Sequence, residues 1–348
     1  MTEDAAQPDE QVAAGINRES VEAWFGQNID GVQLPLSFEL LAGGHSNLTF
    51  RVTDAAETDY VLRRPPLGHV LATAHDMERE HRIISGVGKT SVPVPAALGL
   101  CTDITVNDAP FYVMDHVVGT VLHTDEEVAG MSDIEKVSLS CRVVEVLADL
   151  HAVEPSDIGL GELGKREDYI ARQLRRWTKQ WVASKTRELP EMEETQRILE
   201  DRMPAQIGSA IVHGDYRLGN MLSGDGTVLA VLDWELCTLG DPLADVGYLM
   251  NNWVEPGEAL PSSSAPTVAG GFSSRDEMLG WYQDATGRDV SNVAYYRAFS
   301  YWRLAAIVEG VLNRYLNGAM GQEGDTDAFK LQVETLADSA LSLLTEAG

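Results

Sequence analysis

Three cysteines in 348 residues, Cys101, Cys141 and Cys237, are too few and too scattered for a disulfide framework or a structural zinc site. Bases are scarce as well. The 26 lysines and arginines against 54 acids leave a net charge of −28, which disfavours nonspecific attraction to nucleic acid or to an anionic membrane. No apolar run reaches the roughly eighteen residues a membrane span needs. The first ten residues, MTEDAAQPDE, are acidic and polar rather than signal-like. The expectation is a soluble, cytoplasmic protein with no membrane and no nucleic-acid partner, its oligomeric state left open. Internal repeats, low-complexity tracts and a full G-x-G-x-x-G are also missing. What remains is a chain of ordinary apolar content, 44%, long enough for one large or two modest cores.

The informative stretch runs from Ile211 to Leu249. Ile211 and Val212 lead into His213-Gly214-Asp215, and a polar loop ends at Asn220. Met221 and Leu222 resume an apolar register before Gly224-Asp225-Gly226 turns the chain. This pattern predicts two short strands joined by a tight turn, the second, Val228 to Leu232, delivering Asp233 at its end. Gly240-Asp241-Pro242 then reads as a helix start, with Asp241 as N-cap and Pro242 at the first helical position. Three oxygen-bearing side chains thereby converge on one rim. Phosphoryl transfer asks a protein mainly for positioning and charge neutralisation. One carboxylate receives the acceptor hydroxyl's proton, while an amide oxygen and a second carboxylate hold a divalent metal against the phosphates. Asp215 fits the catalytic role, and Asn220 and Asp233 fit the metal-holding ones. His213 reads as a packed residue beneath the loop, and Asp245 as a carboxylate that organises the loop through backbone amides.

With H-G-D-x-x-x-x-N followed, thirteen residues after Asn220, by D-W, the segment resembles the catalytic and metal loops of the aminoglycoside phosphotransferase and choline kinase group, distant relatives of protein kinases. It is most similar to the kinase-like domains found fused to acyl-CoA dehydrogenases, and the likeness covers the chain from about Gly31 onward. The resemblance implies an α+β, two-lobed, protein-kinase-like fold, with a small antiparallel β-sheet in the N-lobe and a mostly helical C-lobe. On this reading residues 1–12 form a disordered tail, 13–115 the N-lobe and 116–348 the C-lobe. ATP and Mg²⁺ are the cofactors it implies. Trp234 and Glu235 stand where protein kinases carry Phe-Gly, so a phenylalanine-driven activation switch is not expected.

In the first half of the chain, Asn17 to Asn28 reads as a short amphipathic helix with Val21, Trp24 and Phe25 on one side. Leu36 to Leu41 and Leu48 to Thr53 alternate like strands around a glycine-containing tip. The tip's backbone amides could cover nucleotide phosphates, which makes Gly43, Gly44, Ser46 and Asn47 nucleotide-binding candidates. Tyr60 to Arg64 is a strand ending in two bases. The resemblance makes Arg63 the cation on the α and β phosphates, although a one-residue slip would put Arg64 in that place. It also makes Glu80, on a helix from about Ala74 to Ile84, the partner of that cation. Val92 to Leu100 and Ile104 to Val106 are predicted strands. Phe111 to Gly119 reads as a buried strand running into a connector. By resemblance this is the hinge, with the Asp115 carbonyl and Val117 amide bracketing adenine and Met114 behind it.

Beyond the hinge, apolar residues recur at helical spacing over Asp133 to His151, Tyr169 to Ser184, Glu193 to Met203, Arg275 to Thr286, Val293 to Leu316 and Asp327 to Leu344. Asn251 to Ser274, rich in Gly, Pro and Ser, is predicted to be an irregular loop near the active-site mouth. From Tyr169 to Arg187 there are six bases and no acid. Two readings stay open there: an anion site, or a helix whose bases pair with acids such as those of Glu188 to Glu194. The function expected is an ATP- and Mg²⁺-dependent phosphotransferase acting on a hydroxyl of a small molecule, a hydroxyacyl or other alcohol metabolite. Arg217, Glu235, Tyr301 and Arg303 are the substrate-side candidates. An aminoglycoside kinase and a non-catalytic, nucleotide-binding pseudokinase are the alternatives. A metal-dependent phosphohydrolase would group more carboxylate or histidine ligands.

Overall fold

The computed structural model describes residues 14–42, 47–67, 75–258, 265–318 and 324–346. The tail expected to be disordered, and Gly43, Gly44 and Ser46 of the glycine tip, lie outside the described residues. The chain divides into two compact units, Met1–Lys89 with Val94–Val118, and Thr90–Pro93 with Gly119–Gly348.

The first unit opens with α1 (Arg18–Asn28), followed by β1 (Ser37–Ala42), β2 (Leu48–Thr53), β3 (Asp59–Arg64), α2 (Met77–Val87), β4 (Ala97–Cys101), a single turn α3 (Ile104–Asn107) and β5 (Phe111–Asp115). The strands form one antiparallel sheet in the order β1-β2-β3-β5-β4. Val21 and Phe25 of α1 pack with Phe50, Val52, Leu62, Phe111 and Val113 into a buried core. Trp24 meets the Phe111 ring edge-to-face at 4.9 Å.

Two expectations fail here for local reasons. Ile104–Asn107 is helical rather than extended, because Asp103 accepts the Thr105 amide at 2.9 Å and its hydroxyl at 2.7 Å. Asp108, in the left-handed region at φ 56°, ends the turn. Capping outweighs the β preference of Ile-Thr-Val. The strand expected from Val92 begins only at Ala97, past Pro93 and Pro95, which have no amide to give a ladder.

The second unit continues with β6 (Thr120–Val121), α4 (Asp133–Ala152), α5 (Tyr169–Ser184), α6 (Pro190–Asp201), β7 (Ala210–Val212), β8 (Met221–Gly224), β9 (Thr227–Val231), β10 (Thr238–Gly240), α7 (Leu243–Asn252), α8 (Arg275–Thr286), α9 (Val293–Leu316) and α10 (Thr326–Glu346). The expected hairpin is β8-β9, with β6 added at its edge, and β7 pairs with β10. Helix α7 starts one residue later than Pro242, yet Asp241 still caps it, accepting the Leu243 amide at 3.1 Å. It also runs through Asn251 and Asn252, two residues into the segment expected to be an irregular loop. Helix α9 packs against α5, α6, α7 and α10. Its fully buried Glu309 accepts from the Thr186 amide at 2.6 Å and from Arg187 Nη1 at 2.9 Å, and Arg187 Nη2 reaches the Lys330 carbonyl at 2.9 Å. Lys185 pairs with Glu188 and Glu193 at 3.0 and 3.1 Å. Arg187 thus spends its charge on a buried acid and Lys185 pairs at the surface, so the end of the basic 169–187 segment follows the pairing reading. Among the described residues no helix is long and apolar enough to cross a membrane.

Candidate active site

Strand β7 delivers the chain into the His213–Asn220 loop. Gly214 sits at φ +86°, where a Cβ would stand 3.0 Å from the Leu236 carbonyl oxygen, so the turn requires glycine. The fully buried Asp245 of α7 takes the loop's first amides: Oδ2 accepts from His213 at 2.6 Å and Oδ1 from Gly214 at 2.8 Å. His213 is equally buried. Its Nδ1 accepts the Asp215 amide at 3.2 Å, and its Nε2 lies 2.9 Å from the Leu232 carbonyl. An amide only donates and a carbonyl only accepts, so the ring is the Nε2–H tautomer with both nitrogens engaged. Its edge-to-face contact with Trp234, centroids 4.7 Å apart, completes a packed pin beneath the loop.

Asn220 Nδ2 donates to Asp215 Oδ2 at 2.6 Å and to the Asp215 carbonyl at 2.8 Å. Both acceptors are oxygens, which orients the carboxamide: its NH₂ faces Asp215 and its oxygen is directed elsewhere. The Asn220 carbonyl accepts the Leu232 amide at 2.8 Å, and Asp233 follows directly in the left-handed region, φ 63° and ψ 68°. Asp tolerates that conformation better than most residues, and it breaks the β9 path so that Trp234 turns inward and buries fully. Asp215, Asn220 and Asp233 are therefore linked through Leu232. Among the described residues no three His, Cys, Asp or Glu side chains gather closely enough to hold a metal. The Asn220 oxygen and Asp233 carboxylate are nevertheless hard donors of the kind Mg²⁺ accepts when phosphates and waters fill the rest of its shell, so the residues fit that ion.

More groups reach Asp215. Arg217 Nε lies 3.4 Å from its Oδ1. The Tyr248 side chain of α7 lies near it, and burial followed by the Asp215 charge pushes that phenol's pKa up. Arg303 of α9 donates to the Gly214 carbonyl at 3.2 Å and lies 5.5 Å from the centre of the Tyr248 ring. Of the other substrate-side candidates, Tyr301 is buried near Arg297, whose Nε donates to Asn251 Oδ1 at 3.0 Å. Glu235 is half-buried in the turn after Asp233. Beside the loop is a small open pocket, lined by residues that include Leu122, His123, Arg217, Asn251, Asn252 and Val254. Tyr248, His123 and Asn251 were not picked out from sequence. Only Tyr248 carried a signal, its helical step of three from Asp245.

In the first unit, Glu80 is a buried hub. Its Oε1 accepts from Asn47 Nδ2 at 2.9 Å, and its Oε2 accepts from the Tyr112 hydroxyl at 3.0 Å and lies 3.1 Å from Arg63 Nε. Arg64, next along β3, points to the opposite face and donates to the Gly15 and Asn107 carbonyls. Strand alternation thus puts Arg63, not Arg64, on Glu80. Asp115 ends β5 exposed, its amide donating to the Ala96 carbonyl at 2.9 Å, and Val117 is half-buried in the connector.

A five-stranded antiparallel sheet with a buried Arg–Glu pair, and a helical unit that gathers an acid, an amide and a second acid around one hairpin, define the protein-kinase-like phosphotransferases. Residues 37–278 match the phosphotransferase enzyme family, APH, and the chain belongs to that family. Acyl-CoA dehydrogenase family member 10 of Mus musculus is 35% identical over 88% of this chain and 29% of its own length. Family member 11 of Homo sapiens is 31% identical over 94% and 43%. The chain thus spans less than half of these relatives. A solved structure from Ralstonia eutropha JMP134, given provisionally as an aminoglycoside phosphotransferase, is 34% identical with a TM-score of 0.82, covering 94% of this chain and 98% of that one. The aminoglycoside phosphotransferase APH(2'')-Ib, solved with ADP bound, shares the fold at 16% identity and a TM-score of 0.59, covering 94% of this chain and 99% of that one.

Proposed function

We propose that this phosphotransferase moves the terminal phosphoryl group of ATP onto a hydroxyl of a small molecule in the cytoplasm, with Mg²⁺ as its metal. The observation that carries the reading is the hydrogen-bonded link from Asp215 through Asn220 to Leu232, the residue directly before Asp233. In it Asp215 orients the acceptor hydroxyl and takes its proton, held in place by Asn220. The Asn220 oxygen and Asp233 carboxylate would hold Mg²⁺, which when bound neutralises phosphate charge. Arg63, steadied by Glu80, receives donor phosphates, and Gly43, Gly44, Ser46 and Asn47 are assigned to covering them. The Asp115 carbonyl and Val117 amide are assigned to adenine. ADP on APH(2'')-Ib supports nucleotide use. Similarity to the acyl-CoA dehydrogenase family members supports a hydroxyacyl or other alcohol metabolite as acceptor, and the Ralstonia likeness supports an aminoglycoside as the second reading.

The test is a mass-spectrometric screen of hydroxyl-bearing metabolites, hydroxyacyl-CoAs and aminoglycosides for a gained phosphate with Mg-ATP. Asp215→Ala is expected to cut transfer by about 10²–10⁴-fold or more, the span of positioned acid–base catalysis, with nucleotide affinity little changed. Near-normal transfer by that variant ends the role given to Asp215. Nucleotide binding without transfer to any compound moves the reading to a pseudokinase.

A further inference from the structure

The pocket beside Asp215 carries information about the acceptor that the acid set does not. A Cβ on Gly219 would stand 2.5 Å from Arg217 Nη1 and 3.0 Å from His123 Nδ1. Because glycine leaves that space empty, the Arg217 guanidinium and the His123 ring both come in over Gly219. The guanidinium's Nε edge faces Asp215 Oδ1 at 3.4 Å, and the same side chain lines the pocket. Among the described residues no acceptor engages its terminal nitrogens. A guanidinium keeps its charge and offers paired donors matched to an oxyanion.

The remaining walls agree with that charge. Leu122 and Val254 are apolar, and Asn251 and Asn252 bring carboxamides. Asn252 spends its Nδ2 on the Tyr248 carbonyl at 2.9 Å, and Asn251 is gripped by Arg297. No described lining residue is acidic, in a chain whose net charge is −28. Several acids close in sequence to the lining are committed: Asp215 to Asn220 and Arg217, Glu127 to the backbone amides of His123 and Thr124, and Glu255 and Glu258 to Arg275. The acidity of the whole chain acts at a distance, where salt screens it, whereas the lining acts at contact.

We infer that this pocket holds the non-reacting end of the acceptor, and that this end bears an oxyanion received by Arg217, with a short hydrocarbon segment on Leu122 and Val254. The inference rests on the kinase reading for the place of the reacting hydroxyl, beside Asp215. It selects against polycationic acceptors, which would meet a guanidinium in place of carboxylates.

The test reads binding rather than turnover, in the full chain with and without Mg²⁺ and a non-hydrolysable ATP analogue. ω-Hydroxyhexanoate, its primary amide and the amino alcohol of equal length are titrated by calorimetry. The acid is expected to bind at least about tenfold more tightly than the amide, the gain of a charge-assisted hydrogen bond, and the amino alcohol to bind weakest. Arg217→Gln is expected to bring the acid down to the amide without changing the affinity for the ATP analogue. Arg217→Lys should keep part of the preference, and it stands in if the glutamine variant fails to fold. An acid no better than its amide, or a preference that survives Arg217→Gln, overturns the inference. So does a loss confined to the ATP analogue, which would give Arg217 to the nucleotide's terminal phosphate. A bound acid that never gains phosphate would count against the kinase reading and leave the pocket's charge preference standing.

Discussion

Asp245 divides its two carboxylate oxygens between the amides of consecutive residues, His213 at 2.6 Å and Gly214 at 2.8 Å. One side chain of α7 therefore sets the register of the loop that carries Asp215. Asp245→Asn would turn one of those acceptors into a donor facing an N–H, and each buried donor left without a partner costs about 1–3 kcal/mol. The expected outcome is a lower urea midpoint at unchanged m-value, with phosphoryl transfer falling as the loop loses its anchor. A variant as stable as the parent would show that both amides find other acceptors.

Glu80 joins Arg63, Asn47 and Tyr112 inside the first unit, its side chain 2% exposed beside an Arg63 side chain that is 11% exposed. Removing one member of a buried pair strands the other charge, at a cost of about 3–5 kcal/mol. Glu80→Ala is expected to destabilise on that scale and to raise the Kd for Mg-ATP, because Arg63 loses the group that aims it. Glu80→Gln keeps one acceptor oxygen, enough for Tyr112 and Arg63 or for Asn47 but not for both sides, and should cost less than Glu80→Ala. Denaturation together with nucleotide titration separates the two effects. Unchanged nucleotide affinity in both variants would detach Arg63 from the phosphates.

How much of this was legible in the sequence depends on how far apart the partners lie. Helices α5 and α8 and the β8-β9 hairpin stand where periodicity and turn residues put them, since each is specified by its own few residues. Ser274, with Glu277 three residues on, even makes the reciprocal cap that pattern predicts. Asp215, Asn220 and Asp233 could be grouped because one short stretch holds all three. The failures are of two kinds. At Ile104–Asn107 a side-chain cap outweighed a β-like composition. For Arg187 the buried partner, Glu309, is 122 residues away, so the sequence alone leaves pairing and an anion site both open there. His123 and Asn251 reach the pocket from separate elements in the same way, and nothing local marks them.

His151 is buried with Nδ1 2.7 Å from the Tyr282 hydroxyl and Nε2 3.4 Å from Asp245. Burial lowers its pKa from 6.5, and the hydrogen bond and charge of Asp245 only partly oppose this. Between the folded value and 6.5 the unfolded chain binds the extra proton, so stability is full above 6.5 and declines as pH falls through that window. The slope is about 1.4 kcal/mol per pH unit for each such proton. Burial shifts His75 and His81 in the same direction, so the three act together. Thermal unfolding at fixed ionic strength between about pH 7 and 5 should show Tm falling, and His151→Gln should flatten that dependence. An unchanged slope in the variant would assign the acid sensitivity elsewhere.

Tyr248 approaches Asp215 from α7 and carries Arg303 5.5 Å from its ring centre, while Arg303 also holds the Gly214 carbonyl. Tyr248→Phe removes only the hydroxyl. Packing and the contact with Arg303 are kept, so stability should change by no more than about 1 kcal/mol, while Asp215 loses the hydroxyl beside it. The expected signature is kcat lowered roughly 3- to 30-fold with KM for ATP and acceptor nearly unchanged, since orientation matters most in the transition state. Arg303→Met removes the support on the other side of the ring. If the two residues act on Asp215 as one unit, the double variant will fall short of the product of the single effects. Kinetics of both single variants and the double variant, with the acceptor found by mass spectrometry, decide this. Strictly multiplicative losses would mean that Tyr248 and Arg303 hold the loop independently.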